Sequence, residues 1–500
     1  MSDLLTLRLY LYVILLCISV VPFFSNLQQS MLLAFWLISL SIFSLSSLCL
    51  LYYPPGVCYV PLNYVILCSM YNIPLGITKF GLLMSWLLDL IFVLSLLYSY
   101  FSRFTFIHNN SLFNDLALCI LHVCCSLFFC VDDVILLSFL YEFQMIPLLW
   151  MLVSRYGIYY NINSTGDSLG ISVSKGIGQS AYLLLWYGLL SGSLLYIGWY
   201  NLFLSLGSTT LYDLTSLLSY QKGLSTSCVY GVVLVFLSGC VKLSLCPFHV
   251  WLGKVHVESS TIGSVLLASV SLKTGFYLHV CIWSALSLLP TTVLDVFICL
   301  FLFGGFVSSL TLFYQVDCKR WIALYSISHM NLFYLLILGC IRSGSSIGNY
   351  LLPILQYGML GHSLISGGLF FIIGGICDRL GSRIIYDLSG NFSVYESCFL
   401  FLLLLANSGY PLLVLFIYEL LGYVCLVDWD FLLACLCGFL SCLCLLSSIL
   451  MHSRLCCVNK PISTLPVSYS NSTVVIICSP LCLISIFLGL QCFYPINNLS

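Results

Sequence analysis

Several charged residues in this 500-residue chain lie inside long apolar runs, four of them in settings that could do chemistry. Lys242 sits in VYGVVLVFLSGCVKLSLCPFHVWLGK, Glu142 in FLYEFQMIPLLW, Lys273 in VLLASVSLKTGFYLHV and Glu419 in GYPLLVLFIYELLGY. An ionised side chain in an apolar setting must be paired, reach the interface, or change its protonation state. Each residue taken singly therefore admits a structural reading, an ion pair or a snorkelling lysine, and a chemical one, a group that takes up and releases a proton. Their recurrence in one chain points to a pathway for protons or ions. His329, in IALYSISHMNLFY, and His362, in GMLGHSLISGGLF, lie on Ser- and Gly-rich runs. Imidazole passes protons near neutral pH, and a hydrogen-bonded packing role fits these two histidines equally well. His122 and His279 read as packing residues, while His108, His249, His256 and His452 lie nearer interfaces. Asp132 and Asp133 read as water-facing acids at a helix start, where the dipole suits them.

Membrane helices must position these groups. Hydrophobic residues make up 61% of the chain, charged residues only 7%, and the mean hydropathy is +1.10. A soluble domain carries about 25% charge, so the composition defines an all-α polytopic membrane protein. Apolar runs bounded by polar or Pro/Gly clusters give about 14 transmembrane helices, centred near 16, 42, 91, 121, 143, 190, 239, 270, 304, 330, 363, 410, 440 and 483. The opening MSDLLTLRLYLYVILLCISVVPFF reads as the first of them, since further spans follow at once without a small-residue cleavage site. The longest polar interruptions are 154–175 and 377–396.

Two helices are expected to break. Gly239 and Pro247 flank Lys242, and Pro411 precedes Glu419; proline removes a backbone donor and glycine weakens a helix. The two broken helices fall in corresponding places of two five-helix blocks, 112–283 and 284–451, preceded by helices 1–3 in 1–111 and followed by a last helix in 452–500. An odd number of helices per block makes consecutive copies enter from opposite sides, the arithmetic of an inverted repeat whose broken helices mark an ion site. Loops after odd-numbered helices carry Arg103, Arg155, Lys175, Lys254, Lys319, Arg320, Arg379, Arg383, Arg454 and Lys460, against Arg8, Lys79, Lys222 and Arg342 on the other side. The positive-inside rule then places both termini on the outer side.

The formal net charge of -1 excludes a nucleic-acid partner recruited by basic surface. The 27 cysteines contain no C-x-x-C pair and mostly lie in apolar runs, where cysteine behaves as a small hydrophobe. No metal site, no disulfide framework and no G-x-G-x-x-G fingerprint is present, so no cofactor is expected in this chain.

The stretches FLYEFQMIPLLW, VKLSLCPFHVWLGKVHVESSTIGSVLLASVSLKTG, DCKRWIALYSISHM, GHSLISGGLF and ANSGYPLLVLFIYELL resemble the antiporter-like membrane subunits of mitochondrial respiratory complex I, the NADH:ubiquinone oxidoreductase. The resemblance runs from about Glu142 to Leu421. It departs from the family at Gly253, Ser259 and Ser260, and around Phe80 and Gly81. It implies an ion pair between Glu142 and Lys242, and a hydrated proton path through Lys242, Lys273, His329, His362 and Glu419. Sister subunits usually carry lysine at the last position, so Glu419 favours the subunit 4 branch over subunits 2 and 5. The same resemblance implies a multi-pass protein of the mitochondrial inner membrane, both termini towards the intermembrane space, adjacent to antiporter-like subunits 2 and 5 and to membrane lipids. NADH, FMN, iron-sulfur clusters and ubiquinone would be bound by other subunits. A subunit of a multi-subunit sodium/proton antiporter would share these residues, and a scaffold whose ion pairs only fix helix register is the third reading.

Overall fold

The structure is a computed structural model and describes residues 79–105, 111–162, 168–220, 225–343, 348–411, 413–456 and 470–492. These residues are almost entirely helical. In chain order the principal helices are α1 Lys79–Thr105, α2 Ser111–Phe128, α3 Val134–Phe143, α4 Met145–Ile162, α5 Ser168–Leu206, α6 Leu211–Tyr220, α7 Thr226–Lys242, α8 Val250–Glu258, α9 Thr261–Leu266 and α10 Leu272–Cys281. They continue with α11 Thr291–Leu312, α12 Cys318–Ser343, α13 Gly348–Leu380, α14 Val394–Asn407, α15 Val414–Trp429, α16 Phe431–Cys456 and α17 Ser470–Cys492. The centres expected at 16 and 42 lie outside the described residues. Each of the others falls on a helix except 410, which falls in the gap between α14 and α15. Among the described residues, seven helices are long and apolar enough to cross a membrane. A continuous helix is what such sequences must form there, since lipid offers the backbone no partners.

Proline and glycine set the interruptions. α7 stops at Lys242, the chain turns through Ser244 at a positive φ of 56°, and helix resumes at Val250 beyond Pro247. α14 stops at Asn407, Gly409 takes a φ of 70°, and α15 starts after Pro411. A third, milder irregularity separates α3 from α4 at Gln144, two residues after Glu142. Pro147 lies three residues on and cannot donate to the carbonyl of Phe143. The polar 154–175 stretch is shorter as a loop than its composition suggests, because α4 runs to Ile162 and α5 begins at Ser168. Its counterpart at 377–396 ends in a capping box, in which Ser393 and Glu396 satisfy each other's backbone donors at the start of α14.

The chain forms two compact units. One reaches Lys242 and takes in Val270–Leu288; the other takes Leu243–Ser269 and continues from Leu289. In the first, α7 lies along α5 and α10, α1 pairs with α2, and α4 packs on α5. In the second, α11 pairs with α12, α13 packs on α17 and α15, and α8 and α9 lie against α12 and α13 respectively. Burial separates the spans into two kinds. Thr261–Cys281, Cys318–Ser343 and Leu355–Leu380 are 94%, 89% and 100% buried, whereas Thr291–Leu312 and Phe431–Cys456 are 44% and 39% buried. The three enclosed spans carry Lys273, His329 and His362, so these groups sit on helices wrapped by protein.

Candidate functional site: two groups of buried titratable residues

In the first unit Lys242 is the last residue of α7 and only 2% exposed. The C-terminal turn of a helix presents unpaired carbonyls and the negative end of the dipole, which favours a cation. Lys242 Nζ donates to the Tyr141 carbonyl at 2.8 Å and stands 3.9 Å from the centre of that tyrosine's ring. The Tyr141 hydroxyl in turn donates to the Ser238 carbonyl at 3.1 Å, tying α3 to α7. Glu142, half-buried, lies within electrostatic range of Lys242, but no direct ion pair joins them. The end of α3 explains this, since it frees the Tyr141 carbonyl, which is the nearer acceptor. The Glu142 carboxylate instead packs against Gly192 of α5, where a Cβ would overlap it.

Lys273 is fully buried on α10, which packs against α7. It follows directly on a π-helical segment, Leu267–Ser271, the kind of local widening that recurs at functional sites. His279, nearly two turns on, donates from Nε2 to the Phe236 carbonyl, 2.8 Å away, and its ring fills the space left by the absent side chain of Gly239.

The second unit gathers the remaining three residues. His329 Nδ1 of α12 is 3.7 Å from Glu419 Oε1 of α15, and the His329 and His362 rings are 6.2 Å apart between centroids. The Tyr418 hydroxyl donates to Glu419 Oε1 at 3.3 Å. Gly409, in the gap before α15, lies against the Glu419 carboxylate so closely that a Cβ would meet Oε2. A cavity of about 200 Å³ lined by Ser408, Gly409, Tyr423, Ser441 and Cys442 adjoins Glu419. His329 Nε2 and Asn407 Oδ1 are buried with no hydrogen-bond partner among the described residues, as are both amide atoms of Gln144 in the first unit.

The candidate residues thus fall into two groups, Glu142, Lys242 and Lys273 in one unit and His329, His362 and Glu419 in the other. Sequence reasoning missed several residues that hold them. Asn331 of α12 accepts from the Cys246 backbone N–H at 3.2 Å and donates to the Ile327 carbonyl at 2.8 Å, fixing the chain that follows the first break. A polar residue two positions after His329 was the available signal. Lys319 Nζ reaches the Ser259 carbonyl at 3.1 Å and Arg383 the Val257 carbonyl at 3.1 Å, so two cations cap the C-terminus of α8. Asp133 caps α3 through the Leu136 N–H, as a helix-start acid should. Among the described residues no group of His, Cys, Asp or Glu could hold a metal ion.

Interrupted helices with buried charge at or near the break, among described residues that are almost entirely helical, define an antiporter-like architecture. A family model described as NADH:quinone oxidoreductase/Mrp antiporter, TM, matches residues 172–444, and the chain belongs to that family. Within it, the chain is 30% identical over 347 residues to NADH-ubiquinone oxidoreductase chain 4 of Dictyostelium citrinum, covering 67% of this chain and 76% of that one. It is 32% identical over 317 residues to the chain of the same name from Dictyostelium discoideum, covering 61% and 53%. Similar solved structures share the fold at low identity. An archaeal membrane-bound sulfane sulfur reductase complex gives a TM-score of 0.78 at 16% identity, covering 99% of this chain and 95% of that one. Respiratory complex I from Thermus thermophilus gives 0.73 at 17%, covering 97% and 96%. The Mrp complex from a Dietzia species gives 0.73 at 16%, covering 98% and 95%.

Proposed function

We propose that the chain is a proton-translocating membrane subunit, of the chain 4 type, of a respiratory NADH:ubiquinone oxidoreductase in the mitochondrial inner membrane. The observation that carries this reading is Lys242, a cation buried at the end of an interrupted helix with a mobile-length carboxylate, Glu142, in electrostatic range. Approach of Glu142 favours the ammonium and retreat favours the amine, so a small movement switches Lys242 between holding and releasing a proton. Lys273 extends this group in the first unit, and His362, His329 and Glu419 handle protons in the second. Buried polar atoms without protein partners, such as His329 Nε2 and Asn407 Oδ1, suit retained internal water, which relays protons between such groups. The energy comes from quinone reduction, with NADH, FMN, iron-sulfur clusters and ubiquinone held by other subunits; antiporter-like subunits 2 and 5 are the neighbours. The blocks 112–283 and 284–451, read as five helices each, both contain a fully interrupted helix beside a buried charge, which supports an inverted repeat. Segments 1–111 and 452–500 flank them.

Lys242→Ala in the assembled oxidoreductase should lower proton translocation by on the order of a hundredfold while subunit content stays normal. Sealed vesicles with a pH-sensitive dye measure this; wild-type pumping would leave only a scaffold. A multi-subunit sodium/proton antiporter is the second reading, favoured by the family's inclusion of Mrp proteins. Purification in mild detergent separates the two, since only the first brings redox subunits with the chain. For orientation, the excess of basic residues in alternate loops supports termini facing the intermembrane space. A tag after Ser500 should be removed by protease added to mitoplasts.

A further inference from the structure

The first unit holds a second buried pair of titratable groups, outside the six residues above. Asp89 of α1 and His122 of α2 meet across the contact of these two helices, with Nε2 and Oδ1 2.8 Å apart and both side chains at most 1% exposed. Phe92 covers the imidazole at 4.4 Å between centroids. The pair exists as imidazolium with carboxylate or as imidazole with carboxylic acid, and burial keeps the two groups on each other. Either form holds one exchangeable proton.

Position gives the pair a use. Asp115, Cys119, His122 and Cys125 stand at i, i+4, i+7 and i+10 of α2 and so share one face. At one end of this face Asp115 is half-buried and within electrostatic range of Cys119. At the other end Cys125 is within electrostatic range of Lys242, whose Nζ donates to the Tyr141 carbonyl of α3. His122 is therefore one helical turn from the residue within electrostatic range of Lys242 and two turns from the half-buried end.

We propose that Asp89 and His122 form a proton-holding station that exchanges its proton with Lys242 along this face of α2, relayed by water. In the forward step one N–H bond of the His122 imidazolium breaks and an N–H bond forms on the Lys242 amine. The pair loses one unit of positive charge and the lysine gains one, so charge is conserved. The station rests on the reading of Lys242 as a proton carrier.

The test uses the assembled oxidoreductase in sealed vesicles. The double variant Asp89→Asn/His122→Gln retains a hydrogen-bonding pair that cannot titrate, and the reversed pair Asp89→His/His122→Asp retains one that can. The amide pair should assemble normally and translocate protons at least about tenfold more slowly, with the reversed pair restoring most of the rate. Wild-type pumping in the amide pair, or equal rates in both variants, overturns the station. Should neither variant assemble, the turnover-induced infrared difference spectrum decides: an imidazolium-to-imidazole ring band that is lost in the single variant His122→Gln supports the proposal, and its absence in the wild type overturns it. Lys242→Ala is the control, because if that variant pumps normally the underlying proton reading fails first. If only Lys242→Ala is impaired, the station alone is wrong.

Discussion

The two interrupted helices use the same device with opposite sign. At the first, the charge precedes the break: Lys242 ends α7, where free carbonyls and the dipole favour a cation. At the second, the charge follows the break: Glu419 lies in the second turn of α15, towards the positive end of that helix. Their surroundings also differ. The chain after Lys242 is buried through Cys246 and held by Asn331, whereas Tyr410 is 53% exposed and a cavity adjoins Glu419. A helix break thus supplies a polar terminus in an apolar medium, and the packing around it decides whether protein or water completes the site. The first break is enclosed by neighbouring side chains, the second lies beside a cavity.

Glu419→Gln tests the open break most severely. It removes the titrating group while preserving its size, and should depress proton translocation and coupled quinone reduction together, by on the order of tenfold or more. Glu419→Lys should retain more activity than glutamine, because lysine also titrates. Reconstituted variants assayed for both rates would erase the contrast between the breaks if glutamine proved fully active.

A smaller effect is expected where glycines hold the carboxylates in place. Gly409→Ala adds a Cβ against Glu419 in a left-handed backbone conformation, at a conformational cost of about 1 kcal/mol. Gly192→Ala keeps an ordinary helical backbone, and although its Cβ would displace Oε1, Cδ and Cγ of Glu142, that side chain is only half-buried and can swing aside. Translocation should fall further in the first variant than in the second; the reverse order would mean that Glu142 is the more tightly held.

The smallest effect lies outside the spans. Asp132, before α3, accepts from the Tyr212 backbone N–H at 3.1 Å, and burial raises its carboxyl from 3.8 to about 6. A raised folded value means a contribution fully present below the unfolded value and lost as pH climbs through about 6. Asp132→Asn should therefore melt slightly higher than wild type at pH near 7 and equally at pH near 4. The gain is modest because the carboxyl is partly solvated. Melting curves at the two pH values check the sign.

Much of the architecture is legible in the residues. Long apolar runs must become helices in lipid, because only a helix or a closed barrel satisfies the backbone there. The breaks at Lys242 and before Glu419 follow from Pro247, Gly409 and Pro411. The charges themselves mark the candidate groups, since an apolar run tolerates them only with a partner or a proton to exchange.

Other features depended on which helix faces meet, and periodicity does not reveal that. Lys242 finds the Tyr141 carbonyl before Glu142, because α3 ends where it does. His122 and His279 read alike in sequence, yet one meets a carboxylate and the other a backbone carbonyl. Gly192 and Gly409 look like ordinary small residues until a carboxylate from another helix or turn occupies the space their missing Cβ leaves. Composition and local backbone chemistry act along the chain and can be read from it. The identity of a buried charge's partner is settled by side chains far apart in sequence competing for the same few cubic ångströms, and only the packed structure resolves that competition.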